Sequence, residues 1–255
     1  MSFADSSASE IYAKYSLPQI DYTIPIINEY FKDGPFNHPR LFVIMGHAQS
    51  YKTSIAVELL STFTSFENLG CEAIWLDCDF KFPLDLLKAR KINLEKLRVS
   101  QCRSSEEIIF DLLSIEHEIN QEPDKGASLR AIVIDTISSS FWIDSTSSKL
   151  SCRTRFQLKE IIEQFVSSFG ITMIVVMDDL GFDPWEKIEN APAMKLICTS
   201  RTPGKGQLIY YEPQEKKTFS ESFTVLDDRS FRWGNNHLID NPDEKPGNES
   251  NEFNE

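Results

Sequence analysis

One segment of the sequence has the residue types and the spacing of a phosphate-binding loop. It is Gly46-His47-Ala48-Gln49-Ser50-Tyr51-Lys52-Thr53, which fits the pattern GxxxxGK[ST] at every fixed position except the second glycine. In such a loop the backbone N–H groups surround the phosphates, the lysine meets the outer phosphates, and the hydroxyl group binds Mg²⁺. The segment therefore predicts a nucleotide-binding loop made by all eight residues, with Mg²⁺ bound at Thr53.

Tyr51 is the residue that departs from this pattern. A glycine at that position normally allows the backbone and a phosphate group to approach closely, and a bulky side chain hinders this approach. A chance occurrence of the same letters in a turn between a strand and a helix needs no ligand at all. The sequence therefore predicts ATP and Mg²⁺ as cofactors only if the Tyr51 side chain can be accommodated.

Three aspartates follow apolar runs of strand length. Asp135 ends the run 131–134, and Asp77 and Asp79 follow the run 73–76. A carboxylate at the end of such a strand holds Mg²⁺ in nucleotide-binding proteins, which predicts that Asp135 and Thr53 share the ion. The alternative is that each aspartate only caps the helix that follows its strand.

The hydrophobic pattern predicts the elements that position these residues. Continuous apolar runs indicate buried strands at 41–45, 73–76, 97–99, 131–134 and 171–177. Helical spacing indicates helices beginning near 53, 82, 105 and 153, the last of which ends at Gly170. This alternation predicts an α/β fold with a mostly parallel central sheet and helices on both faces.

Two of the predicted helices carry a defined apolar stripe. We expect the helix near 105 to bury five residues: Ile108, Ile109, Leu112, Leu113 and Ile115. We expect the helix near 153 to bury six residues: Phe156, Leu158, Ile161, Ile162, Phe165 and Val166.

From 196 onward, four short apolar runs joined by turns predict a C-terminal antiparallel meander.

Composition excludes several classes of protein. The 255 residues include 26 Lys+Arg and 39 Asp+Glu, so the formal net charge is −13. This balance argues against a free-standing nucleic-acid binder, because basic side chains supply most of the affinity for phosphates. No apolar run approaches the ~18 residues of a membrane span, and the five cysteines show neither paired nor metal-ligand spacing. We therefore expect no membrane partner and a reducing compartment, the cytosol or the nucleus.

Composition also divides the chain into three parts. Residues 1–22 are rich in Ser and Ala, which predicts a flexible N-terminal arm. Residues 239–255 are acidic, polar and interrupted by two prolines, which predicts a disordered acidic tail. Residues 23–238 between them are expected to form a single domain.

The order of these motifs resembles the recombinase paralogues of the RecA family. The resemblance covers about 40–235 and is most specific in two strand-end segments, 73–82 and 132–144, with a looser match at 199–206. It implies a RecA-like ATPase-type domain with a P-loop core that binds ATP and Mg²⁺. It also implies that Asp79 is the catalytic residue that polarises the attacking water, in at most a weak, DNA-linked ATPase.

The same resemblance implies a biological role. It implies a nuclear subunit that assists homologous recombination repair of DNA breaks within a hetero-oligomer. Another recombinase paralogue is the expected partner, the complex is expected to act on the recombinase filament, and DNA is expected to be contacted through the complex.

Two other function classes fit parts of the pattern. In an active soluble P-loop NTPase or kinase, Lys52, Thr53, Asp79 and Asp135 would form a working catalytic set, although no arginine-rich lid follows residue 100. In a non-catalytic RecA-like structural subunit of another assembly, the loop would have lost its ligand. The retained Lys52-Thr53 pair counts against this second alternative.

Overall fold

The structure is a computed structural model that describes residues 24, 25, 27, 41–64, 71–122, 128–145, 150–179, 193–212 and 217–239. Its strands are β1 (Leu41–Gly46), β2 (Glu72–Asp77), β3 (Leu97–Gln101), β4 (Leu129–Asp135), β5 (Thr172–Asp178), β6 (Ala193–Thr202), β7 (Lys205–Glu212), β8 (Lys217–Val225) and β9 (Phe231–Ile239). Its α-helices are α1 (Lys52–Thr64), α2 (Leu84–Ala89), α3 (Ser105–Gln121), α4 (Ile137–Ser145) and α5 (Leu150–Ser167). The predicted N-terminal arm, 1–22, and the acidic tail beyond Ile239 lie outside the described residues.

Within the described residues, nine strands form one sheet in the order β3-β2-β4-β5-β1-β6-β7-β8-β9. The strands from β3 to β6 pair in parallel, and β6 to β9 pair antiparallel. The predicted α/β fold, with a mostly parallel central sheet and a C-terminal antiparallel meander, is therefore confirmed.

The central strands are apolar throughout because helices cover both of their faces. Phe42 and Ile44 point to the face that α1 covers, while Leu41 and Val43 point to the face covered by α3 and α5. Successive side chains of a strand alternate between the faces, so a strand buried on both sides needs a continuous apolar run. The helices on both faces follow from that pattern.

The pairing register brings the carboxyl ends of four parallel strands together. Gly46 at the end of β1 is the partner of Asp178 at the end of β5, and Asp77 of β2 is the partner of Asp135 of β4. In open α/β sheets this edge is the usual place for a ligand. The fold therefore collects the predicted functional residues along one edge.

Two predictions of buried residues are wrong. Leu113 on α3 is 44% exposed and Phe156 on α5 is 62% exposed. An α-helix turns about 100° per residue, so Leu113 lies beyond the margin of the stripe set by Ile108 and Leu112. Phe156 precedes the buried Leu158 by about 200° and therefore lies on the opposite face.

Helix α4 was not predicted from the sequence. It begins two residues after Asp135 and contains three consecutive serines, a composition with weak helical preference. Packing fixes it instead, because Ile137 and Phe141 are buried in the core formed with α3 and α5.

No helix of the described residues is long and apolar enough to cross a membrane.

Candidate functional site

The 46–53 loop joins β1 to α1 at the carboxyl edge of the sheet. Its first residue has to be glycine, because a Cβ atom on Gly46 would overlap the carbonyl oxygen of Cys198 and the hydroxyl of Ser50. Its last two residues, Lys52 and Thr53, begin α1, and the first N–H groups of a helix have no partner within the helix. The loop thus ends in free backbone donors at the positive end of a helix dipole.

Tyr51 occupies the position of the missing glycine in a left-handed backbone conformation, with φ of 66°. Its hydroxyl oxygen accepts a hydrogen bond of 2.7 Å from the N–H of Gly204, and its ring packs edge-on against Phe223 at 5.9 Å. A non-glycine residue in this conformation costs about 1–2 kcal/mol. The hydrogen bond and the aromatic contact, each worth about 1 kcal/mol, offset that cost. The loop therefore keeps the backbone shape that a glycine usually supplies.

Lys52 holds a buried positive charge inside the loop. Its ammonium group donates a 2.6 Å hydrogen bond to the carbonyl oxygen of His47 and lies 3.0 Å from Oδ1 of Asp178. The Asp178 backbone N–H donates in turn to the hydroxyl of Ser138, which fixes the end of β5. The lysine is thus close to the loop backbone and is neutralised by a carboxylate of the neighbouring strand.

Thr53 and Asp135 meet at the floor of the site. The Thr53 hydroxyl lies 3.0 Å and 3.2 Å from the two carboxylate oxygens of Asp135, and the Thr136 hydroxyl donates to the same carboxylate at 2.9 Å. Burial raises the pKa of Asp135 to about 6, and the nearby Asp77 and Asp79 add to that rise against the two threonine hydrogen bonds. A buried carboxylate with a raised pKa binds cations readily, because a cation relieves the cost of burying its charge.

Asp77 and Asp79 have different environments although they are two residues apart. Asp77 is buried, and its carboxylate accepts the N–H groups of Lys81 and Phe82, so it organises the turn after β2. Asp79 accepts hydrogen bonds from the Ser139 hydroxyl and from Lys81, whose ammonium group is 3.1 Å away. Burial opposes the charged form of Asp79, but the hydrogen bonds from Ser139 and Lys81 outweigh it and lower the pKa of Asp79. Asp79 is therefore an ionised carboxylate that faces the cavity.

An open cavity of about 920 Å³ lies above these residues. Its lining comes from the loop, from the ends of the neighbouring strands and from the turn between β6 and β7: Ala48, Gln49, Ser50, Tyr51, Lys52, Thr53, Asp79, Lys81, Thr136, Asp178, Ser200, Thr202 and Pro203. The lining thus includes two lysines and two aspartates. A ligand that carries both anionic groups and a cation complements such a lining.

Ser50 has a hydroxyl group without a partner in the structure. The residue is 2% exposed, and its Oγ atom makes no hydrogen bond. A buried hydroxyl that makes no hydrogen bond costs free energy, so this atom is a donor available to an anion in the loop.

Among the described residues, no three metal-ligating side chains converge. Any Mg²⁺ here would need ligands from a phosphate and from water in addition to the protein, as is usual for this ion.

The structure brings together most of the residues predicted from the sequence. The residues 48–53 and Asp79 line the cavity, and Asp135 lies directly beneath Thr53. Gly46 and His47 contribute through the backbone, the first by its close approach to Cys198 and the second by its carbonyl oxygen. The site therefore contains both of the predicted metal-binding residues in mutual contact.

Three parts of the site were not predicted. Asp178 follows an apolar strand in the same manner as Asp135, and this signal could have identified it. Lys81 and Ser139, which bind Asp79, follow the two aspartate-terminated strands. The turn between β6 and β7 has no local signal that it lies beside the loop.

In the comparisons with known proteins, no protein-family model and no curated protein matches this chain.

Proposed function

We propose that this protein is a RecA-like recombinase paralogue that binds Mg²⁺-ATP in the cavity above the 46–53 loop. The observation that carries the proposal is the contact between Thr53 at the start of α1 and Asp135 at the end of β4, beside Lys52 in the loop. This is the arrangement that a nucleoside triphosphate with Mg²⁺ requires: a lysine for the phosphates and a hydroxyl with a carboxylate for the ion.

The residues of the loop fit a triphosphate. The first N–H groups of α1, the orphaned hydroxyl of Ser50 and the Lys52 ammonium would hold the phosphates, and Thr53 and Asp135 would hold Mg²⁺. The bound ion would neutralise part of the phosphate charge. Tyr51 is compatible with this role because its side chain is directed to the turn between β6 and β7 and contacts Gly204 there.

Hydrolysis by this site is expected to be slow. Asp79 is ionised and faces the cavity, as a residue that polarises water must, but its two carboxylate oxygens are engaged by Ser139 and Lys81. Its side chain is also one methylene shorter than the glutamate of catalytically strong RecA-type ATPases. We therefore assign ATP a mainly structural part in this subunit.

The proposed cellular role is homologous recombination repair in the nucleus. It rests on the resemblance of the segments 73–82 and 132–144, which are similar to those of the paralogue called X-ray repair cross-complementing protein two. The net charge of −13 fits a subunit that reaches DNA through its complex, because strong DNA binders carry clustered basic side chains. The expected partners are another recombinase paralogue and, through it, the recombinase filament.

Strand β3 offers one surface for such a partner. It forms an edge of the described sheet, and its Val99 is 42% exposed. Beside it, a groove of about 280 Å³ combines the apolar side chains of Leu97, Ile115 and Ile119 with charged residues at its rim. An exposed edge strand can accept a strand of another chain through backbone hydrogen bonds, with a groove for alternate side chains.

Calorimetry of Mg²⁺-ATP binding tests the nucleotide part of the proposal. The native chain is expected to bind with micromolar affinity, and Lys52→Ala is expected to lose this binding. Lys88→Ala, which removes an exposed lysine on α2, is the matched control and should bind as the native chain does. Absence of binding to the native chain, or equal binding by Lys52→Ala, would contradict the proposal.

Affinity purification from nuclear extract tests the biological part. Recovery of another recombinase paralogue is the expected result, and recovery is expected to be reduced by Val99→Asp, which places a charge on the β3 edge.

An activity assay separates the alternatives, because robust phosphoryl transfer to a small acceptor would favour the kinase alternative. Purification only with an unrelated assembly would favour the structural alternative.

A further inference from the structure

The side chain of Tyr51 connects the 46–53 loop to a distant part of the chain. Its hydroxyl oxygen accepts the N–H of Gly204, 153 residues further on, at 2.7 Å. Its ring rests against Phe223 of β8, which itself packs against Phe231 and Trp233 of β9. The residue that breaks the phosphate-loop pattern is therefore the one that ties the loop to the antiparallel meander.

The turn that Tyr51 reaches forms a second wall of the cavity. Thr202 and Pro203 line it together with Ser200 of β6. Ser200 closes the turn from within, since its hydroxyl donates to the carbonyl oxygen of Lys205 at 2.8 Å. Gly204 has a φ of 74°, a left-handed conformation that suits glycine, and in the structure its N–H points to the loop.

The turn is held from two sides. On the meander side, the N–H of Val225 donates to the carbonyl oxygen of Gly204 at 2.7 Å. On the cavity side, the N–H of the same glycine donates to Tyr51. The Gly204 residue thus makes hydrogen bonds both to the loop and to β8.

We infer that Tyr51 is a positioning residue that couples the loop to the turn, so that the two walls of the cavity respond to a ligand together. A glycine at position 51 would allow the same backbone but would leave the turn without its contact to the loop. This inference deepens the proposed function, since it rests on phosphate binding in the loop and adds a route by which that binding is transmitted. Anion binding that orders the loop would also order the turn at 202–205 and the β6–β7 hairpin.

Hydrogen exchange of backbone amides tests this coupling, with and without Mg²⁺-ATP. Tyr51→Phe removes only the hydroxyl and keeps the ring on Phe223, so folding is expected to be preserved. Tyr210→Phe makes the same chemical change elsewhere in the meander and is the matched control. Tyr51→Gly, which restores the usual loop residue, removes both the hydroxyl and the ring contact.

Without nucleotide, Tyr51→Phe is expected to raise exchange in both the loop, 47–52, and the turn, 202–206, by about 3- to 10-fold. Tyr51→Gly is expected to raise exchange in the turn at least as much, and Tyr210→Phe is expected to change neither segment. Exchange that stays at the native rate in both segments of Tyr51→Phe would overturn the inference.

With Mg²⁺-ATP, the native chain is expected to gain protection in the loop and in the turn. Tyr51→Phe is expected to gain protection in the loop alone, which a merely structural role of the hydroxyl would not produce. Equal protection of the turn in both proteins would overturn the inference. If the native chain binds no nucleotide, the proposed function fails, while the nucleotide-free comparison still decides whether Tyr51 couples the two segments.

Discussion

The ammonium group of Lys52 lies 3.0 Å from the carboxylate of Asp178, so the positive charge of the loop is paired with a carboxylate of the neighbouring strand. The two residues come from the start of α1 and the end of β5, and both face the cavity. A phosphate group that binds Lys52 has to compete with this carboxylate and is repelled by it. If the site binds phosphate groups as proposed, this pair is expected to set its affinity for them.

Asp178→Asn is expected to strengthen Mg²⁺-ATP binding by about tenfold, because it removes one negative charge at contact distance from the lysine. Calorimetry measures the change in Kd. Asp179→Asn, at the exposed neighbouring residue, makes the same change in net charge and should alter Kd by less than about twofold. Weaker binding of Mg²⁺-ATP by Asp178→Asn would show instead that this carboxylate helps to hold Mg²⁺.

Asp135 is expected to make the folded state less stable as pH rises. Its pKa in the folded protein is about 6, compared with 3.8 for an unperturbed aspartate, so the folded state binds the proton more tightly than the unfolded state. Stability contributed by the protonated form is complete below about pH 4 and is lost as pH rises to about 6. At about 1.4 kcal/mol per pH unit, ionisation of Asp135 lowers the free energy of unfolding by about 2–3 kcal/mol above that range.

Asp135→Asn removes this cost while keeping an acceptor for the Thr53 and Thr136 hydroxyls. We expect its Tm without Mg²⁺ to exceed the native value by about 5–10 °C at pH 7.5 and to approach it at pH 4. Scanning calorimetry at the two pH values measures the difference, and the exposed Asp227→Asn is the control. A difference in Tm that is independent of pH would exclude the ionisation of Asp135 as its cause.

The parallel sheet and the contact between Thr53 and Asp135 could be predicted because their signals are local. Continuous apolar runs identify strands buried on both faces, and the carboxyl ends of parallel strands meet at one edge. Asp135 stands directly at the end of the apolar run 131–134. Thr53 ends the loop that follows the apolar run 41–45. The parallel topology brings both residues to the same edge of the sheet, where the structure shows them in contact at 3.0 Å.

The remaining features depend on contacts that no short pattern records. The hydrogen bond from Gly204 to Tyr51 joins residues 153 positions apart, and the sequence gives Tyr51 only as an anomaly in its loop. Leu113 was misplaced because helical spacing defines the centre of an apolar stripe better than its margins, whereas Phe156 lies on the face opposite Leu158 and is simply an exposed apolar residue. Asp178 is different, because it follows an apolar run as Asp135 does and the same signal could have identified it.

Arg90 is expected to be important for stability because it satisfies a buried carboxylate. Its guanidinium lies 2.5 Å from Glu58 of α1, donates to the carbonyl oxygen of Arg229 at 2.8 Å and stacks over Phe231 at 5.5 Å. Arg90→Met is expected to lower the free energy of unfolding by about 3 kcal/mol, since it leaves Glu58 buried without this partner. Urea unfolding measures this loss.

Two further variants separate the buried pair from an ordinary surface pair. Glu58→Gln combined with Arg90→Met is expected to recover part of the stability lost by Arg90→Met alone, because no charge is then left buried without its partner. Arg98→Met breaks the exposed pair of Arg98 with Glu118 and should cost less than about 1 kcal/mol. Equal losses from Arg90→Met and Arg98→Met would contradict the assigned importance of burial.

Asp79 is expected to limit the rate of ATP hydrolysis and not the binding of ATP. Its pKa is lowered, so it is ionised at neutral pH, but its short side chain is held by Ser139 and Lys81. Asp79→Glu extends the carboxylate further into the cavity and is expected to raise turnover by at least about tenfold, whereas Asp79→Asn should reduce turnover to background. Steady-state phosphate release gives kcat and calorimetry gives Kd, which both variants should leave within about twofold of the native value. The exposed Asp85→Glu on α2 is the control, and a change in Kd without a change in kcat would assign Asp79 to nucleotide binding instead.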